Sequence, residues 1–498
     1  MTDHEPARVV LVASLAVCLT ITGSGRVSPD RQARVPALHA VVHLEPCEVD
    51  GLPGGGRCGT YDVYENRMAR SGRKISLNIV VVPALGATPA PDPVFWLEGG
   101  PGGAATDATG PVSQNYLRGL RGERDVVFVD QRGTGESNPL KCDDIGDDPA
   151  NVDAYFGKLF PALLIRTCRE QLERFADLTR YSTTVAMDDL DEVRAALGYD
   201  RINLAGASYG TQAAQVYIRQ HPDHVRSAFL AGVATPGFRL PLPFARAAQN
   251  AWERLLADCA ADPACRDAFP NVKKEFDAVL ARFEHGSIQV TMIDPATRTS
   301  RPVTLEREAF VEHVRLMLYS TFAARFLPVV VHQAFLGDFL PFQKLAVRFD
   351  PGGALARGMY FSVTCSEDVP FITEQDIVAE TRGTFLGDRR VRAHQAACQE
   401  WPRADVPRAF TEPVRSDVPV VMYSGEADGA TPPWIAEDAV RFFTSGRQIT
   451  VPHAGHQIDG PCGWNLMQAF LRTASAGQLD AACVGNIRRP PFATEVPR

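Results

Sequence analysis

The pentapeptide Gly206-Ala207-Ser208-Tyr209-Gly210 constrains this chain more than any other feature. It follows the apolar run Ile202-Asn203-Leu204-Ala205 and opens the helix-like stretch Thr211 to Gln220, so it predicts a strand, a tight glycine-flanked turn and a helix. Flanking glycines leave room for a serine held at a strained turn, with its hydroxyl exposed at the end of a sheet strand. Ser208 is the candidate nucleophile. The same pentapeptide also serves as a small-residue turn that packs a helix on a strand, so the rest of the chain has to decide.

Upstream, strand-like runs appear at Tyr61 to Tyr64, Ile75 to Val82 and Val94 to Leu97, and the last ends in Gly99-Gly100-Pro101-Gly102-Gly103. Glycines directly after a strand let backbone N–H groups point into a site, which is the second component acyl transfer needs. Asp125 to Val129 is another apolar strand, and it runs into Asp130-Gln131-Arg132-Gly133-Thr134-Gly135-Glu136-Ser137, a charged loop expected to line the site. Ala186, Leu190, Val193 and Leu197 recur at helical spacing before Gly198, and Val225 to Val233 adds a strand beyond the elbow. Alternating strands and helices predict a mostly parallel α/β sheet.

The pattern changes at about Pro236. Phe244 to Ala260 and Val272 to Phe283 are helix-like, and no regular alternation appears up to about Arg408, so residues 236–408 are expected to be an inserted, largely helical cap. Alternation resumes with Val418 to Tyr423, then Gln448 to Val451, and closes with the helix-like Trp464 to Leu471. The expected organisation is therefore a signal peptide at 1–25, a first core part at 26–235, the cap at 236–408 and a second core part at 409–498.

Two further residues complete a chemical set. Asp428 follows the strand ending at Tyr423, and His456 follows the strand ending at Val451, so Ser208, Asp428 and His456 each lie just past a predicted strand, in that chain order. A serine hydroxyl becomes a competent nucleophile when an imidazole takes its proton, and a buried carboxylate fixes the imidazole's tautomer and stabilises its cation. Backbone N–H groups of Tyr209 and Gly100 are the expected oxyanion donors. His453 and Glu426 are nearby rivals, but a His453/His456 metal pair lacks an acidic third ligand, and no metal or cofactor is expected.

Arg8 precedes the apolar run Val9 to Ile21, which gives way to Thr22-Gly23-Ser24-Gly25, the form of a secretory signal. Lipid anchoring at Cys18 is disfavoured by the bulky Val17 before it, and no stretch reaches the ~18 apolar residues of a membrane span. Of 11 cysteines, Cys18 would leave with the signal. The remainder form sequence-neighbour couples, Cys47 with Cys58, Cys142 with Cys168, Cys259 with Cys265, Cys365 with Cys398 and Cys462 with Cys483, which fits a secreted or periplasmic protein. A net charge of -8 argues against a nucleic-acid partner.

The segments Leu97 to Gly103, Asp130 to Ser137, Gly206 to Gly210, Asp428-Gly429-Ala430-Thr431-Pro432 and Gly455-His456 with Pro461-Cys462 together resemble the secreted tripeptidyl aminopeptidase and prolyl aminopeptidase group of α/β-hydrolases. The resemblance implies an α/β-hydrolase fold and a cofactor-free serine hydrolase that removes short N-terminal pieces from peptides. Glu98 departs from the pattern, because the prolyl aminopeptidases carry a histidine before Gly-Gly-Pro-Gly. Two other readings stand beside an exopeptidase: a carboxylesterase for small or xenobiotic esters, and a non-catalytic binding protein on the same scaffold. An aminopeptidase needs an anchor for the substrate ammonium, and the adjacent carboxylates Glu367 and Asp368, beside Cys365 in the cap, are expected to supply it.

Overall fold

Strands of three to nine residues form a nine-stranded sheet in the computed structural model, which describes residues 42–49, 52, 54–142, 145–350, 355–458 and 460–496. The strands in chain order are β1 (Glu45–Cys47), β2 (Gly56–Tyr64), β3 (Lys74–Val82), β4 (Val94–Leu97), β5 (Val126–Val129), β6 (Ile202–Ala207), β7 (Val225–Ala231), a separate hairpin of β8 (Ile288–Ile293) and β9 (Ser300–Leu305), then β10 (Val420–Gly425) and β11 (Gly446–Val451). Sheet order is β1-β2-β3-β5-β4-β6-β7-β10-β11. The first three strands pair antiparallel, and β5 through β11 of that order run parallel. The secretory-signal reading, with Cys18, lies outside the described residues.

Parallel strands are covered on both faces, which is why β4 and β5 read as unbroken apolar runs rather than alternating ones. Successive side chains go to opposite faces: Phe95 and Leu97 join one core with Val127 and Leu204, while Val94 and Trp96 join the other with Phe128 and Ala205. Helices Thr183–Ala196 and Tyr209–Gln220 cover the first face, and helix Gly460–Thr473 covers the second. Strand order reverses between β4 and β6, and the crevice outside the carboxyl ends of two such strands is where open α/β sheets bind ligands. Gly99 to Gly103 leaves the end of β4 and Ser208 the end of β6.

Residues 236–408 are mostly helical, with the β8–β9 hairpin among them, and the described residues form one compact unit. Trp252, Phe276, Phe310 and Phe342 anchor a third core there, which Val152, Tyr155 and Phe156 join from before it and Phe492 and Ala493 from near the C-terminus. The helix Arg357–Glu367 packs elsewhere. Its Met359, Phe361, Val363 and Cys365 lie in the sheet's first core, against the layer that holds the elbow helix.

Five disulfides are present, Cys47–Cys58, Cys142–Cys168, Cys259–Cys265, Cys365–Cys398 and Cys462–Cys483, each between sequence neighbours among the cysteines. Such a set belongs to a protein that folds in an extracellular or periplasmic setting. The Asp130–Ser137 loop differs from its expected role at the site. Asp130 accepts from Asn78, from the N–H and hydroxyl of Thr106 and from the Glu136 N–H, and Arg132 makes a two-point ion pair with Asp189 at 2.6 and 3.0 Å. Both are fully buried, so the loop is a brace: its charges satisfy turns that a buried crossing would otherwise leave unpaired.

Candidate active site

Ser208 sits between β6 and the helix Tyr209–Gln220 with φ 54° and ψ -125°, a conformation costly for a residue with a Cβ. The surroundings enforce it. The Ser208 N–H donates to Ala231 O at 2.9 Å, and its own carbonyl accepts from the Thr211 N–H and hydroxyl, so β7 and the first helical turn grip the peptide on both sides. Gly210 is required because a Cβ there would run into the carbonyl of Leu97 on β4. At Gly99 a Cβ would stand 3.1 Å from the Ser208 Cβ, so the glycine loop closes directly against the serine.

His456 leaves the turn after β11. Its N–H donates to Tyr319 O at 2.7 Å, and the Tyr319 ring packs edge-on at 4.8 Å, so the end of helix Arg307–Met317 fixes the imidazole from above. Nδ1 lies 2.9 Å from Asp428 Oδ2 and 3.0 Å from the Thr431 hydroxyl. Asp428 is completely buried and accepts from the N–H groups of Ala430 and Thr431 and from the Thr431 hydroxyl. Burial alone would raise its pKa, but the adjacent His456 and these donors hold it below the usual carboxylate value. The carboxylate stays ionised and aimed at Nδ1, which leaves Nε2 as the nitrogen free for a proton exchange.

Ser208 and His456 line one cavity of about 450 Å³, between the strand ends and residues 240–390. Gly100 and Gly103 line it too. Among the described residues the Gly100 and Tyr209 N–H groups bond to no acceptor, as two donors reserved for a substrate oxygen would. A hydroxyl on a strained elbow, an imidazole braced by a buried carboxylate and two unspent N–H donors is the set that acyl transfer uses.

A model of the α/β hydrolase fold matches residues 92–269, the stretch that carries β4 through the elbow helix. The chain has the α/β-hydrolase fold. A second model, described as TAP-like protein, matches residues 384–483, around Asp428 and His456. This hydrolase is 25% identical over 472 residues to serine protease Hip1 of Mycobacterium tuberculosis, covering 86% of this chain and 88% of that one. It is 29% identical over 225 residues to a tripeptidyl aminopeptidase of Streptomyces lividans, covering 42% of each, and 25% identical over 142 residues to a proline iminopeptidase of Neisseria gonorrhoeae, covering 28% of this chain and 32% of that one. These matches support a serine hydrolase, and the relatives so named are peptidases.

Glu367 and Asp368 are not where an ammonium anchor was expected. Both are fully buried at the end of helix Arg357–Glu367, and neither lines the large cavity. Glu367 accepts from the Thr183 N–H and hydroxyl, each at 2.6 Å, and caps the helix Thr183–Ala196, while that hydroxyl also meets the Tyr209 phenol at 2.8 Å. Asp368 accepts from the Leu240 N–H at 2.9 Å and lines only a pocket of about 30 Å³ beside Ser208. Backbone and side-chain donors of the protein itself engage both carboxylates, and burial pushes Glu367 up to about 7 and raises Asp368 too. Tyr319 and Thr431 were missed by sequence reasoning. Thr431 had a signal, its place three residues after Asp428, but Tyr319 ends a cap helix and carried none.

The rival residues are accounted for locally. His453 faces Asp258 at 3.5 Å and Glu426 faces Arg254 at 3.3 Å, so neither enters the Asp428–His456 pair. Among the described residues, Asp191, His221 and His224 come within metal-ligand reach of one another, but Asp191 already accepts from Arg194 and Tyr217 and none of the three lines the cavity.

Proposed function

We propose that the protein is an exported serine aminopeptidase that releases short N-terminal pieces from peptides through an acyl-enzyme on Ser208. Ser208 attacks the scissile carbonyl, His456 takes its proton and returns it to the leaving amine, Asp428 orients and stabilises the imidazolium, and the N–H groups of Gly100 and Tyr209 hold the oxyanion. Residues 236–408 act as a lid that bounds the cavity. The observation that carries this reading is the strained elbow of Ser208 opening on the same cavity as a histidine held 2.9 Å from a buried aspartate. Its support as a peptidase is the nature of the relatives, and its support for export is the set of five disulfides.

The test is active-site labelling with a fluorophosphonate, followed by a panel of amino-acyl anilides and plain esters. Ser208→Ala should lose both label and turnover while keeping the wild-type melting temperature, since no core volume is removed. Labelling that persists in Ser208→Ala refutes the nucleophile, and turnover of esters with no cleavage of any free-amine peptide replaces the aminopeptidase with a carboxylesterase.

A further inference from the structure

Four carboxylates line the large cavity, and they are not equivalent. Glu312 is held by Arg315 at 3.0 Å and by Arg390 at 3.2 Å, so the group carries a surplus of positive charge. Asp147 is paired with Arg357, and Asp350 accepts from the Tyr155 phenol at 2.7 Å. Glu98 lies one residue before the glycine that packs on Ser208; it accepts from Trp96 Nε1–H at 2.7 Å and from the Gly99 N–H at 2.9 Å, and it makes no ion pair among the described residues. A carboxylate has about four acceptor positions, so Glu98 keeps both spare capacity and an uncompensated charge.

What surrounds Glu98 also favours a cation. Trp96 lies on β4, two residues before Glu98, and its ring stacks on Tyr116 at 5.8 Å. Both rings line the cavity, and Tyr116 ends a π-helical turn, Val112–Tyr116, a local distortion that is frequent at functional sites. The Trp96 Nε1–H fixes one oxygen of Glu98 from the ring edge, and a carboxylate so held beside a cavity attracts an ammonium by its charge. The place is right as well, because Gly99, the next residue, is the one that packs on Ser208.

We infer that Glu98, and not an acidic pair in the cap, receives the amino-terminal ammonium of the peptide and thereby sets where Ser208 cuts. This rests on the aminopeptidase reading and narrows its substrates to peptides with a free α-amine.

The experiment compares wild type and Glu98→Gln on a matched pair of amino-acyl 4-nitroanilides, one with a free amine and one N-acetylated, with 4-nitrophenyl acetate as a third substrate. The free-to-acetylated ratio of kcat/KM should fall about tenfold or more in the variant, mainly through KM. An unchanged ratio, with or without a common loss of rate, overturns the assignment and makes Glu98 a brace for the glycine loop through the Gly99 N–H. Inhibition of the wild type gives an arm that does not depend on the variant folding: 2-phenylethylammonium should compete about tenfold or more better than 2-phenylethanol. Equal inhibition by the two overturns the assignment too. A wild type that cleaves the acetate ester and neither anilide fails the aminopeptidase reading itself, whereas anilide cleavage with an unchanged ratio fails Glu98 alone.

Discussion

Two buried acids near the elbow do opposite things with their protons. Asp428 is held ionised, and its negative charge is useful only if it faces the Nδ1–H of His456, so Asp428→Asn should keep the packing and lose the tautomer. We expect kcat to fall by roughly 10³–10⁴ with KM within a few-fold, measured on whichever anilide the wild type cleaves best. A loss under tenfold would mean that Thr431 alone can orient the imidazole. Glu367 is held near neutrality: burial lifts its pKa from 4.5 to about 7 although Thr183 and Gln212 donate to it. A folded-state pKa above the unfolded one means that the native state binds the proton more tightly, so the contribution is complete below about pH 4.5 and is lost as pH rises through 7. Glu367→Gln keeps the shape and removes that loss, which is up to ~3 kcal/mol. The melting temperature of the variant should gain on the wild type between pH 5 and pH 8, whatever constant offset the amide introduces. Asp368 titrates in the same direction and leaves some slope in both proteins. A difference that stays flat with pH would show that Glu367 is ionised in the folded protein.

At the scale of elements, what was legible was what local rules control. Val94 to Leu97 reads as a strand because a parallel strand buried on both faces must be apolar throughout, and it is β4 to the residue. The elbow reads from its glycines, and the helix Thr183–Ala196 from its period and from Gly198 after it. Illegible was whatever depends on a partner far away in sequence. Helix Arg357–Glu367 lies in the stretch expected to be cap and packs under the sheet, so its last two acids, which locally resemble a solvated helix end, are sealed between Thr183 and Leu240. The loop from Asp130 reads as a polar site loop, but Asp189 lies 57 residues from Arg132 and only the fold brings them together. The same helix carries a testable consequence. Cys365–Cys398 joins it to helix Arg389–Gln399 across 33 residues, and closing a loop of that length should contribute about 3–4 kcal/mol. Replacing both cysteines with alanine should lower the midpoint of urea unfolding accordingly, and an unchanged midpoint would mean that core packing alone holds the two helices.

For the molecule as a whole, the question is whether the cap can open by unfolding separately from the sheet. Its core has aromatic anchors of its own, as an independent domain would. Yet that core is not closed by residues 236–408: it borrows Val152, Tyr155 and Phe156 from one side and Phe492 and Ala493 from the other, while the helix Arg357–Glu367 gives its apolar face to the sheet. Melting the cap would therefore expose Phe156 and drag Met359 and Phe361 out of the sheet's core. Each fully buried side chain exposed costs about 1.5–3 kcal/mol, so partial unfolding has no inexpensive boundary to follow. We expect one cooperative unit, in which amide protons of β4 and of helix Arg307–Met317 show the same free energy of opening and the same denaturant dependence in native-state hydrogen exchange. If the Arg307–Met317 amides exchange through a smaller opening, with a shallower denaturant slope, while β4 stays protected, the cap is a separate folding unit. Substrate entry would then involve its local unfolding rather than a rigid mouth between the strand ends and the cap helices.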